Sequence, residues 1–284
     1  MTVAVSCNLS DGVILGVDSA VTVPAPGGVT KVYENAEKLF QIAGRPIGVA
    51  VYGLGALGTR TIGSYLREFQ LKDPEGVVSG KTSMAAVTEA LRIFFLERYM
   101  QEIAPQIEAA HGRSFAELTP DQIPILGLIV GGFSAESPLS EVHHIVVPTH
   151  AHEGSAQLSR GRGDFGANWF AMFEPIRRYT KGIDAGLIDQ LLTWFQDLRG
   201  APITPEEIQH VGSLLLPFEY QIPFAAMPLQ EGLAYVRFLV EIVINHHRFS
   251  VGAPVVGGRA KIGRVSYTGT EFQILDSEVE RRTK

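Results

Sequence analysis

The chain has 284 residues, 45% of them hydrophobic and 19% charged, which excludes a disordered chain and suffices for one large domain or two small ones. A formal net charge of -6 argues against nucleic acid as the main partner, because phosphate binding draws on clustered Lys and Arg and no basic run is present. The single cysteine, Cys7, cannot close an internal disulfide; this fits a reducing compartment and leaves Cys7 as a small apolar residue of a strand.

No basic stretch followed by a long apolar run marks a signal peptide at the start, and the longest membrane-helix candidate, FLVEIVI at 238–244, is interrupted by Glu241. The expectation is a soluble, cytoplasmic protein without a membrane partner. VAVSCNLSDGVILGV, from Val3 to Val17, holds two apolar runs of strand length around Ser10-Asp11-Gly12, a hairpin signal because Asp-Gly supplies the positive φ of a tight turn. A Pro/Gly-rich loop, VPAPGG at 23–28, leads to a second strand pair, EKLFQI and IGVAVY, joined at Ala43-Gly44-Arg45-Pro46.

The period then changes. Leu57, Ile62, Tyr65, Leu66 and Phe69 fit one helix, and Met84 to Ile103 predicts another. Strands resume at ILGLIVGGF (125–133) and VHHIVV (142–147), helical text runs from about Phe165 to Arg199 and from Leu229 to His247, and APVVGGRAKIGRVSY returns to strands. Strands, helices, strands, helices, strands predict an α+β chain of two sheets packed face to face with helices outside. No repeat and no composition shift marks a linker, so 2–284 reads as one domain.

The opening stretch TVAVSCNLSDGVILGVDSAVT resembles the start of a mature proteasome-type β-subunit, a family of N-terminal-nucleophile hydrolases, with Asp18, Ser19 and Thr22 in register without a gap. NAEKLFQI resembles that family's lysine-bearing strand, with Lys38 in the place of the active-site lysine, and GVAVYGLGALG resembles the segment after it. The resemblance runs from Thr2 to about Leu66, around a longer loop at 23–28. It implies a four-layer αββα sandwich of two mainly antiparallel sheets and a threonine-type peptidase that acts through an acyl-enzyme on peptides or unfolded protein. It also implies a homo-oligomeric ring or spiral, in the style of bacterial stand-alone relatives, with an ATP-dependent unfoldase as a further partner and no cofactor or metal.

A threonine hydroxyl needs a base to take its proton, and a chain's α-amine, with an ordinary pKa of roughly 7.7 to 8.0, is close to working pH. Thr2 would carry nucleophile and base together once Met1 is removed. Lys38 beside Thr2 would depress the pKa of the hydroxyl and amine, and Asp18 would pair with Lys38 and keep it charged. The amide of Gly53 would face the developing oxyanion, Thr22 and Gly53 would hold an extended peptide by main-chain hydrogen bonds, and Val21 and Val51 would form a small apolar pocket wall. Singly these residues are ordinary: a threonine at position two, a turn aspartate, a solvated lysine. Their combination within a hairpin-then-hairpin layout carries the reading.

Downstream, SRGRGDFGANWFAMFEP resembles the glycine-rich loop before the family's third long helix, and HHRFSVGAP resembles the element that closes its active site, with Ser250 matching its serine. His247 stands where the family has aspartate, and Arg162 or Gly163 stands near its serine between glycines. A histidine at a helix end beside another is equally a favourable C-terminal charge. The segment from about 180 to 228 is longer than the family's connection and reads as a helical insertion, a cap or a subunit contact. His143, His144, His150 and His152 lack metal-ligand spacing and read as a solvent-facing strand end with a polar loop. The glycines at 53–58 and 160–166 lack a phosphate-loop ending, and no Gly-x-Ser-x-Gly elbow is present. Two alternatives stay open: a catalytically weak or inactive ring subunit, and a small-molecule amidase of the N-terminal-nucleophile type.

Overall fold

Two antiparallel five-stranded sheets dominate the computed structural model of the chain, which describes residues 2–24, 30–80, 82–149, 153–251, 256–267 and 273–276. The chain divides into two units, Met1–Met172 with Phe224–Lys284, and Phe173–Pro223. Both sheets belong to the first, as do two short antiparallel pairs, β3 (Val21–Pro24) with β4 (Thr30–Tyr33) and β7 (Ala56–Leu57) with β8 (Arg60–Thr61).

The first sheet begins with the hairpin of β1 (Val3–Leu9) and β2 (Gly12–Val17), paired from Leu9 with Gly12 to Ala4 with Val17. It is completed by β12 (Gly166–Ala171) on the free side of β1, and by β13 (Lys261–Ser266) and β14 (Gln273–Asp276) beyond β2. Every residue of β1 and β2 is buried, so neither strand shows polar alternation; both faces of the sheet are covered. The polar interruptions are satisfied inside: Asn8 donates to the Asp164 carbonyl at 2.9 Å and accepts from the Ser140 hydroxyl at 2.7 Å. Cys7 is fully buried, and burial pushes its thiol up to about 12, the behaviour of an inert core residue.

The second sheet runs β11 (Ser155–Arg160), β10 (Ser140–Val147), β9 (Leu126–Phe133), β6 (Ile47–Gly53) and β5 (Leu39–Gln41). One face packs under α1 (Ile62–Lys72), α2 (Met84–Glu102) and α3 (Ala104–His111), with Val49, Val51, Leu128, Val130 and Ile145 meeting Leu66, Phe69, Leu91 and Phe95. The opposite face meets the first sheet, where Val13, Leu15, Val17, Leu39, Ala50, Ile129, Val142 and Val265 form a second core. The outer face of the first sheet is covered by α7 (Leu229–Phe249), whose buried Leu233, Val236, Leu239, Val240 and Val243 recur at helical spacing. Thr61 and Ser83 cap the first turns of α1 and α2 by accepting from Ser64 and Ala86 backbone N–H groups.

Two expectations are corrected. Residues 166–171, expected to be helical, form β12 and pair with β1 along its whole length; the apolar run Trp169-Phe170 is readable with either period, and the unpaired edge of β1 decides it. Residues 155–160, to which the sequence assigns no element, form the edge strand β11. His143 is buried rather than solvent-facing and His144 is half-buried, pointing to opposite faces of β10 as strand alternation requires; His150 and His152 lie outside the described residues.

The second unit contains α4 (Glu174–Lys181), α5 (Ala185–Arg199) and α6 (Pro205–Leu215), so the helical insertion expected at 180–228 corresponds to a unit that starts and ends a few residues earlier. Asp184 caps α5 by accepting from the Leu187 N–H, and Thr204 with Glu207 forms a capping box on α6. Leu187, Leu191, Trp194, Phe195 and Leu198 share one face of α5 and are all exposed. Among the described residues no helix is long and apolar enough to cross a membrane.

Candidate active site

Thr2, immediately before β1, Asp18, immediately after β2, and Lys38, immediately before β5, converge where the two sheets meet. The hairpin register brings the ends of β1 and β2 side by side, and the Asp18 N–H donates to the Val3 carbonyl at 3.4 Å. The Lys38 ammonium donates to Thr2 Oγ1 and to Asp18 Oδ1, both at 2.8 Å. All three residues are buried, with the Asp18 side chain fully so.

A fully buried carboxylate is tolerated only where donors satisfy it. Asp18 accepts from Lys38 and from the backbone N–H groups of Val3 and Ala20 at 3.2 Å and Gly257 at 3.3 Å. Burial still raises the Asp18 carboxyl above its ordinary value, and burial lowers the Lys38 ammonium below its own; the ion pair and the hydrogen bonds oppose both shifts. The lysine beside Thr2 is thus a charged donor that gives up its proton more readily than a solvated one. Ser19 secures the surroundings: its hydroxyl bonds the Glu34 carbonyl and accepts from the Arg259 N–H at 2.7 Å, tying the stretch before β5 to the stretch before β13.

The three residues stand at the edge of a hollow of about 120 Å³ lined by Thr2, Lys38, Val21, Thr22, Val51 and Gly53, with Ala20, Leu54 and Ile62 adding apolar wall and exposed Glu37 at the rim. Gly53 has φ 79°, and a Cβ there would sit 2.1 Å from the Ile125 carbonyl oxygen, so the position admits glycine alone. The Val51 N–H donates to the Lys38 carbonyl at 2.8 Å; by strand alternation the Gly53 N–H faces the same side, past the end of β5 and toward the cleft.

Ser250 makes no hydrogen bond to these residues. It caps α7, exposed, with both its N–H at 3.0 Å and its hydroxyl at 2.7 Å donating to the His246 carbonyl. The segment after α7 that reaches the site is Gly257 to Arg259. Residues 252–255 lie outside the described set, as does Met1. Half-buried His247 has its ring pKa lowered by burial and by His246, with Asp18 opposing. Arg162 pairs with Glu136 at 2.8 Å and Glu141 at 3.4 Å, fastening the loop after β11.

Sequence reasoning missed one pair next to the cleft. The Tyr52 hydroxyl and His144 Nε2 lie 2.6 Å apart across strands β6 and β10, with the Tyr52 ring stacked against His144 and Phe170. The ring occupies space above Gly127, where a Cβ would stand 2.0 Å from it. Only the missing side chain at Gly127 hints at this in the sequence.

Burial holds His144 down to about 4, so the folded protein binds fewer protons there than the unfolded chain with its ordinary 6.5. The associated stability, about 3 kcal/mol, is present above pH 6.5 and is lost as pH falls toward 4. His144→Phe is therefore expected to flatten the stability profile between those values. Urea midpoints measured across that range check it, and a variant with the wild-type slope would remove His144 as the cause. Glu141, held at about 2 first by its bond to His143, acts only at lower pH.

No protein-family model and no curated protein matches the chain.

Proposed function

We propose that the chain is a threonine-type hydrolase of amide or peptide bonds, built on the four-layer αββα sandwich of the proteasome-like N-terminal-nucleophile hydrolases. One observation carries the reading: a buried lysine that bridges Thr2 Oγ1 and a buried aspartate at 2.8 Å each, on the edge of an open hollow. A structural ion pair alone does not call for the third partner to be a hydroxyl at the start of the first strand, beside a hollow.

In this reading the α-amine of Thr2, freed by removal of Met1, takes the proton from Oγ1 as Oγ1 attacks the substrate carbonyl carbon. The Lys38 ammonium, kept charged by Asp18, stabilises negative charge on Oγ1, and the Gly53 N–H donates to the oxyanion of the tetrahedral intermediate. Collapse breaks the C–N bond, the amine passes its proton to the departing nitrogen, and an ester on Thr2 remains. Water, deprotonated by the same amine, then hydrolyses the ester. Thr22 and Gly53 supply main-chain partners for an extended substrate, and the hollow's Val21, Val51 and Ile62 favour a small apolar side chain.

Intact mass and covalent labelling test this together. The purified chain is expected to lack Met1 and to gain one equivalent of a peptide boronate or epoxyketone on Thr2, and Thr2→Ala to gain none. A chain that keeps Met1, or Thr2→Ala labelled like wild type, would overturn the reading.

A further inference from the structure

A second hollow lined by described residues is larger than the cleft at Thr2. A cavity of about 320 Å³ opens between the ends of β10 and β11 and the chain before β9, with Leu118, Ile123, Val146 and Pro148 as apolar walls and Gln157 at one side. Its size falls within the range of small-molecule sites. None of the residues lining it is an acid, a lysine or an arginine, and the one titratable group is His144.

His144 is already committed on one nitrogen, through the 2.6 Å bond of Nε2 to the Tyr52 hydroxyl. That hydroxyl has no other acceptor among the described residues, and a buried hydroxyl proton without an acceptor is costly, so Tyr52 donates and Nε2 accepts. The neutral ring then carries its proton on Nδ1, and Nδ1 bonds no described residue. Burial keeps both partners neutral near pH 7, with the Tyr52 hydroxyl pushed up to about 12 and His144 held down to about 4.

We infer that this cavity is a second ligand site, for a small uncharged aromatic or branched apolar molecule whose single hydrogen-bond acceptor takes the His144 Nδ1 proton. Charged molecules of the same size are rejected, since nothing in the lining offers a counter-charge and desolvation opposes their entry. The site does not depend on Thr2 being a nucleophile. Tyr52 is nevertheless shared: its hydroxyl orients His144 in the cavity, and its residue also borders the Thr2 cleft, one position before Gly53.

Calorimetric titration of the full chain with benzamide, and separately with benzylamine, tests the inference. Benzamide is expected to bind one equivalent with a Kd on the order of 1 mM or tighter, as suits a ligand of so few atoms, and benzylamine at least about tenfold more weakly. Val146→Trp, which fills the cavity from β10, is expected to weaken benzamide at least about tenfold, and His144→Phe about fivefold through loss of one hydrogen bond. No saturable benzamide binding, equal binding of benzylamine, or unchanged binding in folded Val146→Trp would each overturn it. Should Val146→Trp not fold, the two ligands on the wild-type chain decide.

Discussion

Lys38→Ala is expected to slow labelling of Thr2 at least about 100-fold and to lower stability by about 3–5 kcal/mol. The two losses have different origins. Stability falls because Asp18 is left fully buried with its negative charge uncompensated, retaining only three backbone N–H donors at 3.2 to 3.3 Å. Reactivity falls because Thr2 Oγ1 loses the cationic donor 2.8 Å away that offsets charge building on it. A drop in labelling caused merely by unfolding has to be separated from a drop in chemistry. Adding Asp18→Asn to Lys38→Ala does this: removing the orphaned charge should recover part of the lost stability without recovering the labelling rate. Urea midpoints and single-turnover labelling rates on the two single variants and the double variant complete the cycle. A double variant that is as unstable as Lys38→Ala would place the penalty outside the ion pair, and one that labels at the wild-type rate would leave Lys38 without a chemical role.

What could be read from the sequence was whatever local pattern or resemblance determines. Ser10-Asp11-Gly12 between two apolar runs signals the β1–β2 hairpin, and the helical spacing of Leu66 and Phe69 signals α1. Thr2, Asp18 and Lys38 were singled out by resemblance, and the hairpin register with the 2.8 Å bonds brings them together. What escaped was decided between distant segments. Trp169-Phe170 carries no period that distinguishes helix from strand, and its state follows from the open edge of β1 some 160 residues earlier. Resemblance points to Ser250 after α7, where its hydroxyl bonds the His246 carbonyl, whereas the aspartate's third N–H donor is Gly257, a backbone group that no residue type announces. His143 and His144 look alike in the sequence; one faces Glu141 and the other completes a bond to Tyr52 from a strand two places away in the sheet.

Gly53→Ala is expected to cost more than an ordinary glycine replacement and to strike reactivity as well. Two penalties coincide at this position: the left-handed φ of 79°, worth about 1–2 kcal/mol for an L-residue, and a Cβ 2.1 Å from the Ile125 carbonyl oxygen. That oxygen also accepts from the Leu54 N–H at 3.0 Å, so it cannot retreat without breaking the contact that holds the chain beyond β6. The strand end must move instead, and with it the N–H that the proposed mechanism aims at the oxyanion. Loss of one such donor is worth about 100- to 1,000-fold in rate. Gly44 supplies the control: its φ is 73°, but nothing lies within 4 Å of a Cβ built there. Gly44→Ala should therefore pay the conformational term alone and label Thr2 at the wild-type rate, whereas Gly53→Ala should be less stable than Gly44→Ala and label at least about 100-fold more slowly. Melting curves and labelling rates of the two variants make the comparison. Equal stability losses would show that the Ile125 carbonyl yields freely, and a Gly53→Ala chain of wild-type reactivity would remove the Gly53 N–H from the mechanism.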